Sequence, residues 1–109
     1  MSSKSGLEVA RESWCDVRLT DISWGSEGRD LILTFLMHEN RIGKLTCTWA
    51  HSNNISLLSG VNEGGYPLTF DAKIEEGGGN RWEVLFDFAG RGVVELKCNE
   101  ILLEYSART

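Results

Sequence analysis

The chain has 109 residues, 41% hydrophobic and 25% charged, the proportions of one folded domain and not of a disordered or collagen-like segment. Sixteen acidic against eleven basic residues leave a net charge of −5, and the basic residues are scattered singly, whereas a binder of duplex nucleic acid or of anionic membranes gathers them into a stripe. No apolar run approaches the roughly 20 residues that cross a bilayer, and Leu7 is interrupted too soon by Glu8, Arg11 and Glu12 for a secretory core, so the expected location is the cytoplasm.

Residues 1–12 read as a flexible or weakly helical N-terminal tail, with Ser5 and Glu8 at capping-box spacing, and residues 13–109 as a single antiparallel β domain. A first strand over 14–24 puts Cys15, Val17 and Leu19 on one face and then switches parity to Ile22 and Trp24, which predicts a bulge near Thr20-Asp21. Leu31 to Met37 is a nearly continuous apolar run, expected to be a central strand covered on both faces. Lys44 to Trp49 alternates cleanly, with Leu45, Cys47 and Trp49 inward. Residues 50–66 are the least readable; Ile55, Leu57 and Leu58 fit either a short strand or a helical turn.

Further on, Leu68, Phe70, Ala72 and Ile74 are inward, as are Trp82, Val84, Phe86 and Phe88, then Val94, Leu96 and Cys98. Cross-strand charge selects the register of the first hairpin. Pairing Ile74 with Trp82 sets Lys73 opposite Glu83, whereas a shift of two residues sets Asp71 opposite Asp87 and Glu75 opposite Glu83; the first is expected, with Gly77 to Asn80 at the loop tip. The next connection needs an odd number of residues. A loop of Gly90, Arg91 and a left-handed Gly92 fits and sets Asp87 opposite Glu95; shifting by two would pair Glu83 with Lys97 but put Arg91 at the left-handed site. Ile101 to Tyr105 closes the chain after a kink at Asn99-Glu100.

The fold expected is all-β, an antiparallel sandwich or partly open barrel of about six to eight short strands, with a short N-terminal helix or a disordered tail. Cys15, Cys47 and Cys98 are an odd number at wide spacing and read as reduced core thiols. Cys47 and His51 invite a metal or thiol enzyme together with Cys15, Cys98 and His38, but the close ligand pairs of zinc sites are missing, so no catalytic residue, metal or cofactor is assigned. The glycine-rich loops lack the spacing and following helix of a phosphate cradle.

Asp71, Glu75, Glu83, Asp87 and Glu95 share an outward sheet face, too solvated for a glycosidase pair but suited to a basic partner. Of four tryptophans, Trp49 and Trp82 follow inward parity, while parity leaves Trp14 and Trp24 undecided. The leading expectation is therefore a non-enzymatic binding or interaction domain with a protein partner or homodimer, not nucleic acid or membrane. Its surface is drawn from Asp71, Glu83, Leu85, Asp87, Arg91, Glu95 and Trp24. The alternative is a binder of a small apolar ligand in an interior cavity.

Overall fold

Alternating apolar and polar residues fold into strands because successive side chains leave a strand on opposite faces. The computed structural model describes residues 3–57, 67–79 and 81–107. Among these residues the strands are β1 (Ser3–Ser5), β2 (Arg18–Gly25), β3 (Asp30–Leu36), β4 (Arg41–Thr48), β5 (His51–Leu57), β6 (Asp71–Gly77), β7 (Arg81–Asp87), β8 (Gly92–Cys98) and β9 (Glu100–Ala107), with a short α-helix, α1 (Leu7–Ala10). They form two antiparallel sheets, ordered β1-β9-β4-β3-β2 and β5-β8-β7-β6, so the architecture is the all-β sandwich, with neither sheet closed into a barrel. No helix among the described residues is long and apolar enough to cross a membrane.

The inward rows meet between the sheets. Leu31, Leu33 and Phe35 of β3, Leu45 and Cys47 of β4, and Ile101, Leu103 and Tyr105 of β9 face Trp82, Val84 and Phe86 of β7 and Val94, Leu96 and Cys98 of β8, all buried. Trp14 enters this core from the loop before β2. Its ring stands edge-on to Phe35 and Phe86, both at 5.1 Å between centroids, while Phe35 and Phe86 are 5.0 Å apart. Trp14 Nε1–H donates to the Val9 carbonyl at 3.0 Å, so the polar edge of the indole is satisfied inside the core. The predicted bulge lies between Leu19 and Asp21. In the expected tail, β1 pairs with β9 and α1 buries Val9 completely.

Parity fails at the corners where the chain changes course. Trp49 was expected inside but is 53% exposed, because it follows the end of β4 in a left-handed turn (φ 52°) that swings its side chain out. Leu68 and Phe70 were also expected inside. Pro67–Thr69 instead runs beside β2, with Leu19 N–H donating to Pro67 O, Thr69 N–H to Val17 O, and Arg18 bridged to Leu68. The chain enters the other sheet only at Asp71, so Thr69 is buried while Leu68 and Phe70 face solvent. Cys15 is exposed for a similar reason: Asp16 takes a positive φ of 65°, and the strand expected from residue 14 begins at Arg18. β3 is covered on one face only, its outward Ile32, Thr34 and Leu36 being half-buried. Within residues 50–66, β5 is a strand, while Leu58 and the rest of 58–66 lie outside the described residues.

The first hairpin takes the register that the charge argument rejected, and the second takes the one that charge favours and the left-handed loop glycine argued against. Ile74 pairs with Val84, which sets Asp71 opposite Asp87 and Glu75 opposite Glu83, and Gly77 pairs with Arg81, so Gly77 belongs to β6 and not to the loop tip, while Asn80 lies outside the described residues. The outward groups are in water, where a like-charge pair costs well under about 1 kcal/mol. The neighbouring strand and the same strand then supply the missing cations: Lys97 lies 3.9 Å from Glu83 and Lys73 lies 3.8 Å from Glu75. In the second hairpin Glu83 pairs with Lys97 and Asp87 with Val93. The connection is three residues as expected, but they are Ala89–Arg91, with Ala89 in the left-handed region at φ 55°. Gly92 keeps a positive φ of 118° inside the ladder, where a Cβ would fall 1.9 Å from Ser56 O of β5. That close approach fixes Gly92 as a strand residue and moves the loop back by one position.

Candidate interaction surfaces

The period of two brings five of the expected surface residues together on the solvent face of β6-β7-β8. Asp71 stands beside Asp87, Leu85 beside Glu95 on one side and Lys73 on the other, and Glu83 between Glu75 and Lys97. A shallow depression of about 420 Å³ follows these rows. The face is not uniformly acidic, because Lys73 and Lys97 alternate with the carboxylates. Two carboxylates are also committed to the backbone: Asp71 Oδ1 accepts from Ala72 N–H at 2.9 Å and Asp87 Oδ1 from Ala89 N–H at 2.8 Å. Arg91 and Trp24 lie apart from it. Arg91 is half-buried in the β7–β8 connection, and Trp24 is on the other sheet.

Trp24 and Trp49 come to the same end of the sandwich from different strands. Trp24 lies on the inward row of β2 opposite Leu31, one residue before the hairpin turn, and is 51% exposed because β2 is an edge strand. Trp49 follows β4, and its turn is tied to that same hairpin. Its N–H donates to Asp30 Oδ1 at 3.2 Å, Ala50 N–H donates to Arg29 O at 2.8 Å, and the Arg29 guanidinium stacks on the indole 4.8 Å from its centroid. A left-handed conformation costs a non-glycine residue about 1–2 kcal/mol, so these bonds hold Trp49 outward against its own preference. Strand-end parity could not reveal this, since it carries no information once φ changes sign.

The titratable groups lie elsewhere. Glu12 accepts from the Tyr105 hydroxyl, from Lys4 Nζ at 2.9 Å and, through its other oxygen, from Ser13 N–H at 3.0 Å. Arg41 and Lys4 flank the Tyr105 ring at 4.3 and 5.6 Å. Burial pushes the Glu12 carboxyl up, but the three donors outweigh it and hold its pKa below the ordinary value. Burial and the bond to Glu12 push Tyr105 up, and the bond to Glu12 pushes Lys4 up. With the Glu12 side chain only 10% exposed, the cluster ties the N-terminal segment to β9 and presents no free base.

His38 Nε2 sits 3.1 Å from the carbonyl of Cys15, which can only accept, so that nitrogen carries the proton. His51 is opposite Lys97 on β5. Among the described residues no group of three or more His, Cys, Asp or Glu gathers as a metal site. The core thiols Cys47 and Cys98 meet each other between the sheets, a pairing that wide sequence spacing concealed.

Comparison with protein families and with curated proteins finds no match by sequence. The fold is similar to the crystal structure of an uncharacterized protein from Neisseria gonorrhoeae, at a TM-score of 0.64 and 13% identity, over 99% of this chain and 100% of that one. At that identity the likeness carries the fold and nothing about chemistry.

Proposed function

We propose that this chain is a non-enzymatic interaction domain that docks a cytoplasmic protein partner, or a second copy of itself, through the end formed by Trp24, Trp49 and Arg29. The observation that carries the reading is Trp49: a large aromatic, more than half exposed, held outward in a left-handed turn by Asp30 and Arg29. Aromatic and arginine side chains are the groups most enriched at the centres of protein interfaces, because they bury much area with few rotatable bonds. Trp24 adds a second half-exposed indole beside the same hairpin, and two exposed indoles at one end of a sandwich favour an apolar contact there. The −5 net charge favours a protein partner over a nucleic acid or an anionic membrane.

The test compares wild type with Trp49→Ala and Trp24→Ser, first confirming equal melting temperatures. Sedimentation velocity reads self-association, and quantitative affinity purification reads other partners. Either association should fall at least tenfold in both variants, the loss expected when a buried aromatic anchor is truncated. Glu83→Lys with Glu95→Lys reports on the sheet face instead. Binding that survives the tryptophan variants but is lost in that double variant would move the interface to the β6-β7-β8 face and overturn this reading.

A further inference from the structure

Cys47 and Cys98 stand on different sheets and face each other across the core. Cys47 lies on the inward row between Leu31 and Ile101, Cys98 lies on the facing row beside Trp82, and both are fully buried. Only Asn99 separates β8 in one sheet from β9 in the other, and its N–H donates to the Thr48 carbonyl at 2.9 Å. The residues directly after each cysteine are thus joined by a backbone hydrogen bond, which brings the two cysteines to the same level, where the sheets are bridged. The side chains lie within hydrogen-bonding reach of each other. A disulfide needs neighbouring Cα atoms with Cβ atoms directed at one another, and the backbone bond and the contact between the thiols bring the pair toward that arrangement.

We propose that Cys47 and Cys98 form a reversible intramolecular disulfide that joins the two sheets, made by exchange with a small-molecule disulfide. One cysteine, as thiolate, attacks a sulfur of oxidised glutathione; the S–S bond of the reagent breaks, one glutathione thiolate leaves, and a mixed disulfide forms. The second cysteine, after losing its proton, attacks the protein sulfur of that mixed disulfide and expels the second glutathione. The protein gives up two electrons and two protons, and the reagent is reduced to two thiols. The hydrogen bond with the Cys98 thiol and burial keep Cys47 protonated in the closed state, so exchange waits on opening of the core and quickens with rising pH. Cys15 is exposed, far along the chain, and has no role in the bond except to compete for the reagent.

The experiment uses the full-length chain with Cys15→Ser, which removes that competition. The folded protein is equilibrated in glutathione redox buffers, alkylated after unfolding, and analysed by mass spectrometry and peptide mapping. Oxidation should remove both alkylatable thiols together, link the Cys47 and Cys98 peptides, and raise the melting midpoint by about 10 °C or more, since the closed loop is long. Dithiothreitol should reverse all three. Cys98→Ala and, separately, Cys47→Val should abolish the shift. Two thiols still alkylatable after equilibration with oxidised glutathione, or two mixed glutathione adducts in place of a link, would overturn the proposal. So would a linked protein whose midpoint is unchanged, because the bond would then not brace the native sandwich.

Discussion

At the scale of single residues, backbone geometry decides more of this structure than side-chain character does. Gly92 shows it most sharply. Its φ of 118° lies where L side chains rarely go, and the Cβ of any replacement would meet Ser56 O at 1.9 Å. Gly92→Ala should therefore cost about 3 kcal/mol, combining backbone strain with a displaced β5. Gly78, in the β6–β7 tip, has no neighbour within 4 Å of its own ideal Cβ and no positive φ, so Gly78→Ala should change stability by less than about 0.5 kcal/mol. Urea unfolding of the two variants checks the contrast. Equal midpoints would mean that β5 moves away from β8 without cost, and that the glycine does not fix the loop. The same backbone logic places Trp49 outside: its exposure follows from φ, not from hydrophobicity.

At the scale of elements, sequence periodicity made the sheets legible and left the pairing of strands obscure. The inward rows of β7 and β8, and the bulge in β2, follow directly from parity, because a single slip would turn every apolar side chain to water. A slip of two residues leaves the core rows facing inward and alters only exposed pairs. Cross-strand charge misleads at the first hairpin, where the third strand contributes Lys97 to Glu83, whereas at the second it favours the observed Glu83–Lys97 pair and the expected left-handed Gly92 loop misleads instead. The outward face of β6-β7-β8 was legible as a face; its interleaved lysines soften its acidity. Trp49, Leu68 and Phe70 were misplaced because parity was carried through corners. The observed register predicts that Asp71→Asn, which keeps an acceptor for Ala72 N–H, relieves repulsion with Asp87. It should stabilise the protein by about 0.5 kcal/mol at low ionic strength, fading as salt screens the pair. In the register expected from the sequence, Ile74 opposite Trp82, Asp71 would face Leu85, and no gain that fades with salt would be seen.

At the scale of the whole molecule, a two-sheet sandwich must close the gap between its sheets, and the N-terminal segment does so here. α1 fills one side with Val9, whose carbonyl also satisfies Trp14 Nε1–H, and Glu12 fastens the segment to β9 through Tyr105 and to β1 through Lys4. Removing the Tyr105 hydroxyl leaves the half-buried Glu12 carboxylate short of a donor, so Tyr105→Phe should lower stability at neutral pH by about 2 kcal/mol, the usual value of a hydrogen bond to a charged group. The sign of the pH dependence follows from each shift. Glu12 is held below the ordinary 4.5, so its contribution is present above that value and is lost as pH falls through the lower folded value. Tyr105 and Lys4 are raised above 10.0 and 10.5, so theirs are present below those values and are lost as pH rises through the higher folded ones. Tyr105→Phe should flatten both limbs: the acid limb because Glu12 keeps fewer donors, the alkaline limb because one raised group is gone. Urea midpoints measured across pH for both proteins read the two limbs directly. Parallel curves offset by a constant would show that Tyr105 acts by packing alone, and that the N-terminal closure depends on Val9 and Trp14 instead of on the Glu12 cluster.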